Sequence, residues 1–127
     1  MKNEGVDFVI MEVSSQSLKL DRVAGVEFDA GIFTNFSKDH ISLKEHPDVE
    51  DYFNSKLKLF SMCKAGFVNG DDVYGLKIKK NSKCQISTFG IDNVCDIIAK
   101  DIKIKNQGIL FKIDEELIGL QKLSRKI

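Results

Sequence analysis

One proline and nine glycines in 127 residues are too few for a collagen-like, low-complexity or disordered chain. No apolar run approaches the roughly 20 residues that a membrane-spanning helix needs, so no membrane is expected as a partner. Met1-Lys2-Asn3-Glu4-Gly5 leads straight into strand-like sequence, and no signal peptide is expected either. Cysteine is scarce and odd in number. Cys63, Cys84 and Cys95 lack metal-type spacing and suit the reduced thiols of a cytoplasmic protein. Neither sign of charge predominates, since 19 Lys/Arg face 19 Asp/Glu. That balance gives no argument for nucleic acid as a partner. Also absent are G-x-x-x-x-G-K-[ST] and G-x-G-x-x-G, the glycine-rich loops that cradle phosphates.

What remains is 43% apolar and 30% charged sequence, with room for one ordinary domain. The zero net charge hides a split. Residues 1–63 carry 7 basic and 11 acidic residues, net −4; the rest carries 19 − 7 = 12 and 19 − 11 = 8, net +4. The acidic half also holds the chemical-looking residues, which suggests a cation as ligand more than a polyanion.

The order of elements predicts an α/β fold, with a mostly parallel sheet, flanking helices and a C-terminal antiparallel ribbon. Val6-Asp7-Phe8-Val9-Ile10-Met11-Glu12-Val13 is rich in branched residues and reads as a strand buried on both faces. Ser14-Ser15-Gln16-Ser17 is a polar turn able to open a helix. Further strand-like runs are Ala30 to Thr34, Gly66 to Val68 and Gln85 to Phe89, each ending in small or polar residues. In an open α/β sheet that edge is where ligands bind. Val49, Phe53, Leu57 and Phe60 repeat at helical spacing, so a helix is expected over about 47–63, with Pro47 at its first position. A weaker helix is expected near 73–81. From about residue 96, Ile102, Ile104, Leu110 and Ile113 mark short strands, with Asn106-Gln107-Gly108 as a hairpin turn. Residues 1–95 and 96–120 thus form an α/β part and a ribbon. Leu120 to Ile127 show no helix stop or cap.

Several residues invite chemistry. Glu12 lies in an apolar run near its carboxyl end; it is an ion-pair partner, or a metal or acid/base group at the sheet edge. His40, after Asp39, is either an idle loop residue or a proton carrier and metal ligand. His46 has the idle reading more strongly, because it abuts Pro47 at a helix start. At about 100° per residue, Lys56 falls between Phe53 and Phe60, inside the apolar stripe. Either its stem snorkels along apolar surface, or a site holds the amine with a lowered pKa or a modification. Arg22 is a surface residue or a bidentate grip on a carboxylate or phosphate. Asp71-Asp72 reads as a helix N-cap with its charged neighbour before a metal pair. Lys77, Lys79, Lys80 and Lys83 read as a solvated basic face.

Taken together, these segments resemble a known family. Glu12-Val13-Ser14-Ser15, Arg22-Val23, Phe28-Asp29, Phe33-Thr34-Asn35-Phe36-Ser37-Lys38-Asp39-His40, Glu50-Asp51-Tyr52-Phe53-Asn54-Ser55-Lys56, Leu59-Phe60 and Asn69-Gly70-Asp71-Asp72 follow one another as in the Mur ligases. The likeness is greatest to the MurE type, the UDP-N-acetylmuramoyl-dipeptide:amino-acid ligases of peptidoglycan synthesis. It covers about residues 6–75 closely and the ribbon to about 120 loosely. The resemblance implies ATP-driven phosphorylation of a substrate carboxylate and attack of an amino-acid amine on the acyl phosphate. It implies magnesium held by Glu12, His40 and Lys56, the last as a carbamate, with these three as the catalytic residues. It assigns Ser14 and Arg22 to the UDP-muramoyl-peptide substrate. Gln16, Leu20 and Ser42 depart from the commoner residues of the pattern, as does a slightly longer segment before Pro47.

The resemblance also implies parts this sequence lacks, namely the ATP loop, the adenine-contacting segment and the C-terminal domain with the incoming amino acid's pocket. The expectation is an internal piece of a ligase, inactive alone and completed by the missing portions. The alternatives are a non-catalytic remnant or binding module of the same fold, or a piece of a folylpolyglutamate- or cyanophycin-synthetase-like ligase. A free-standing small metal-binding α/β protein stands further off.

Overall fold

The structure, a computed structural model, describes residues 5–37, 45–106, 108–113 and, for the backbone alone, 116–121. Four parallel strands, β1 (Phe28–Phe33), β2 (Cys63–Asn69), β3 (Gln85–Gly90) and β4 (Ile97–Ile98), lie in the order β1-β2-β3-β4. Three helices accompany them: α1 (Ser15–Lys19), α2 (Val49–Leu57) and α3 (Val73–Asn81). Beyond the sheet, β5 (Lys100–Lys105), β6 (Gly108–Ile113) and β7 (Glu116–Gln121) form a separate antiparallel sheet. The α/β class with a C-terminal antiparallel ribbon is therefore correct. The ribbon gains a third strand, because Leu117 to Leu120 pair with Ile109 to Lys112.

Each helix starts on a side-chain cap. Ser14 accepts from the Ser17 amide before α1 at 3.1 Å, Asp48 from Asp51 before α2 at 2.8 Å, and Asp72 from Tyr74 before α3 at 2.7 Å. Glu50 and Asp51 then complement the positive end of α2. Pro47 lies one residue before the Asp48 cap, not at the first helical position, so the cap rather than the proline sets the start. The helix is also shorter than its apolar spacing suggested. The α-helix ends at Leu57, a 3-10 turn covers Lys58–Ser61, and Cys63 already begins β2.

Phe33, Phe60, Val68 and Ile78 form the buried core. Alternation along β1 buries Gly31 and Phe33 and leaves Ala30 and Ile32 exposed. The helices thus cover one face of the sheet, and α2 and α3 meet there through Phe53 and Tyr74, ring centroids 5.8 Å apart. Burial on both faces, the usual state of a parallel sheet, does not hold for β1.

The largest departure concerns residues 6–13. They form no regular element and pair with no strand among the described residues, and Phe8, Val9, Ile10 and Met11 stand exposed. A strand is stable only when a neighbour satisfies its amides and carbonyls. Without one, branched composition alone leaves this stretch unpaired. Glu12 is consequently exposed, and the expected buried carboxylate is not found.

Gly75 lets α3 sit directly on the end of β2, since a Cβ there would fall on the Asn69 carbonyl oxygen. A helix-interior Gly→Ala change ordinarily stabilises by up to about 1 kcal/mol. Here Gly75→Ala is expected to destabilise by about 1–3 kcal/mol, because the helix must lift off its strand. Urea unfolding of the variant measures the sign.

Candidate functional site

The segments between strands and helices gather the polar residues. Ser14 precedes α1, and its hydroxyl faces the Ser17 hydroxyl at 2.9 Å as well as the Ser17 amide. Arg22 follows in an exposed turn held by its own amide, which donates to the Ser17 carbonyl at 2.9 Å. Asp21 takes a left-handed conformation at φ 53°, which turns the chain between α1 and Arg22. Its carboxylate pairs with Lys58, whose ammonium also reaches the Leu18 carbonyl at 3.3 Å.

Lys56 stands in the last turn of α2. Its amine is half-buried and lies 5.0 Å above the centre of the Tyr52 ring. Desolvation lowers its pKa from the ordinary 10.5. The ammonium over the ring face is a cation–π arrangement. His40 lies outside the described residues, with Lys38 and Asp39. Among the described residues no three His, Cys, Asp or Glu side chains gather in a metal-sized cluster.

His46 holds the opposite of an idle position. It has no exposed surface. Its Nδ1 lies 2.7 Å from Asp51 Oδ2 and its Nε2 lies 2.9 Å from Ser15 Oγ. A carboxylate only accepts, so Nδ1 carries a proton and donates it. Lys19 donates to the same Asp51 oxygen at 2.7 Å and to the Glu45 carbonyl at 3.0 Å. Asp51 is held below the ordinary carboxylate range, first by the Lys19 hydrogen bond and then by His46.

The acidic pair after β2 divides its work. Asp72 caps α3 and also accepts from the Phe36 amide at 2.8 Å, which ties the end of β1 to α3. Asp71 accepts from the Ile91, Asp92 and Asn93 amides and so holds the turn after β3. The N-cap reading of Asp72 holds, and both carboxylates are occupied. Of the basic cluster, Lys77 lies 4.6 Å from the Tyr74 ring centre and Lys79 reaches Asp96 at 3.4 Å. Burial, with Cys84 nearby, pushes the Cys63 thiol up to about 11, which makes it a poor nucleophile at neutral pH.

Residues 1–122 match the model of the Mur ligase middle domain. The chain belongs to that family. A UDP-N-acetylmuramoyl-L-alanyl-D-glutamate–2,6-diaminopimelate ligase of Clostridium botulinum is 43% identical over 124 residues, 94% of this chain and 25% of the relative. A solved structure of a ligase with the same name aligns with a TM-score of 0.77 at 24% identity, over 94% of this chain and 26% of the other. The MurF ligase from Thermotoga maritima in complex with ADP aligns with a TM-score of 0.58 at 15% identity, over 86% and 25%. At those identities the structures establish the shared fold. The chain spans about a quarter of the length of the relatives it matches.

Within this Mur ligase middle domain, the network around His46 is the part that sequence reasoning missed. Ser15 and His46 are 31 positions apart, and no local pattern links them. The one local signal is that Asp51 falls in the first turn of α2, where its carboxylate faces back toward the residues before the cap.

Asp71 titrates lower than the ordinary 3.8 because three backbone amides stabilise its carboxylate, those of Ile91 and Asn93 foremost. A depressed folded pKa contributes stability above the unfolded value, lost as pH falls through the folded one. The Ile91 and Asn93 amide resonances are therefore expected to titrate together with a midpoint below the ordinary carboxylate value of 3.8. In Asp71→Asn they are expected to be displaced at neutral pH and to lose that acid transition.

Proposed function

We propose that this chain is the central segment of an ATP-dependent UDP-N-acetylmuramoyl-peptide:amino-acid ligase of cytoplasmic peptidoglycan synthesis. The observation that carries the reading is the 43% identity, over nearly the whole chain, to a protein named as such a ligase. In the parent reaction the γ-phosphoryl group of ATP passes to a substrate carboxylate, giving an acyl phosphate and ADP. The amine of the incoming amino acid then attacks the acyl carbon, loses a proton and expels phosphate. This segment supplies the magnesium and muramoyl-peptide half-site. The remaining portions of the ligase, its partners in this reading, supply the ATP loop and the amino-acid pocket.

Glu12, His40 and Lys56 are the proposed magnesium ligands and catalytic groups. Glu12 offers an exposed carboxylate, the oxygen donor that a hard dication takes. Lys56 fits through its burial. A lowered pKa leaves more of the amine neutral, and only the neutral amine adds carbon dioxide. That step forms an N–C bond, releases one proton and turns a cation into an anionic oxygen donor. Bound magnesium would neutralise charge on the phosphoryl oxygens in transfer. Ser14 and Arg22 flank α1 and are the proposed grips on the UDP-muramoyl-peptide, Arg22 through the bidentate geometry of its guanidinium.

A purified chain mixed with ATP, magnesium, UDP-N-acetylmuramoyl-L-alanyl-D-glutamate and diaminopimelate is expected to release no phosphate; turnover would overturn the reading of a segment incomplete alone. With 13C-labelled bicarbonate, a carbamate carbon resonance is expected to grow as pH rises and more of the Lys56 amine is neutral. Lys56→Arg, which keeps the charge but cannot form that carbamate, is expected to abolish it. A resonance that survives in the variant would remove Lys56 from the proposed metal site. Calorimetric titration with the UDP-muramoyl-dipeptide separates a retained half-site, which binds, from a non-binding remnant of the fold.

A further inference from the structure

Ser15, His46, Asp51 and Lys19 form one chain of hydrogen bonds across α1, α2 and the segment before the α2 cap. The serine, imidazole and carboxylate spacings are those of a nucleophilic triad. The setting is not, because the imidazole has no exposed surface and the Asp51 oxygen is shared with the Lys19 ammonium. A nucleophile must meet its substrate, and this serine hydroxyl faces inward on a residue only 7% exposed. The arrangement is suited to holding two elements together.

What it holds is specific. α1 has five residues, far below the length at which a helix stands alone. Ser15 is its first residue and adjoins Ser14. On the other side, the His46 ring lies 4.9 Å from the Tyr52 ring, centre to centre, and the Lys56 amine lies 5.0 Å from the centre of that same ring. An unbroken path of contacts therefore runs from the Ser14 turn through Ser15, His46 and Tyr52 to Lys56.

We propose that His46 is a positioning residue that sets the Ser14 turn against Lys56, so that the substrate-facing and metal-facing groups of the half-site are held in one arrangement. The functional meaning of that arrangement rests on the reading given above; the clamp itself is a property of this chain. His46→Ala leaves the Ser15 hydroxyl without its imidazole partner, leaves Asp51 Oδ2 to Lys19, and opens the seat beside Tyr52. His46→Gln retains one donor and one acceptor. Val68→Ala, in the buried core and outside the His46 hydrogen-bond network, serves as a control brought by mild urea to the same global stability.

Two measurements on the 127-residue chain need no ligand. Hydrogen exchange followed by mass spectrometry is expected to show amides of residues 14–22 exchanging about tenfold faster in His46→Ala than in the matched Val68→Ala, as expected for leaving buried polar partners unpaired. His46→Gln is expected to recover part of the protection. Acetylation of Lys56 by an amine-reactive ester is expected to accelerate several-fold more in His46→Ala than in the matched Val68→Ala. Equal α1 exchange in the two variants would overturn the clamp. Faster exchange with unchanged Lys56 acetylation would overturn its reach to the metal-facing group. Failure of the wild-type chain to bind UDP-muramoyl-dipeptide would instead count against the half-site reading, and would not alter what these two measurements say about the clamp.

Discussion

Gly31 and Gly66 stand opposite each other in the β1–β2 register, and Phe60 lies on both. A Cβ on Gly66 would come within 2.7 and 2.9 Å of the Phe60 ring, and one on Gly31 within 3.5 Å of it and 2.6 Å of Cys63 Sγ. This close approach of an aromatic ring to bare backbone brings the end of α2 down onto the sheet. Packing at interior density leaves no slack, so the tilt and height of α2 follow from it. Everything that α2 carries depends on that seat, including Tyr52, Lys56 and the Asp51 carboxylate.

A second, polar constraint works beside the first. Burying an imidazole costs free energy unless both nitrogens find partners. His46 finds them on different elements, Ser15 on α1 and Asp51 on α2. The apolar core places α2, and the polar network then places α1 on α2. Asp71 and Asp72 apply the same principle at the carboxyl ends of the strands, where one carboxylate organises the turn after β3 and the other joins the end of β1 to α3. Loops at the sheet edge thereby acquire definite geometry without regular structure of their own.

The consequence for chemistry is a set of groups at different stages of assembly. Lys56 is seated on Tyr52 and partly desolvated. Ser14 is committed to capping α1, and Arg22 and Glu12 stand in solvent. Among the described residues, Phe8, Ile10 and Ile32 stand as exposed apolar surface.

Local chemistry was enough to predict much of the fold. Asp72 announces a helix start, Asn106 and Gly108 a hairpin, and apolar runs the strands β1 to β3, because caps, turns and periodicity act between near neighbours. The family likeness was legible for a related reason: motif order is itself a sequence property. The extent of α2 was not legible, since Phe60 keeps the helical spacing of apolar residues while sitting in a 3-10 turn that drops it onto two glycines. The state of residues 6–13 was not legible either, because a branched apolar run becomes a strand only where another strand offers its backbone. His46 is the sharpest case. Its identity and its place before Pro47 are written in the chain, but its role required Ser15 to be brought across 31 positions. The sequence by itself determined which segments could be helix or strand and to which family they belong; the tertiary structure decided which polar side chains meet, because hydrogen bonds between distant residues form only after the core has set their distance.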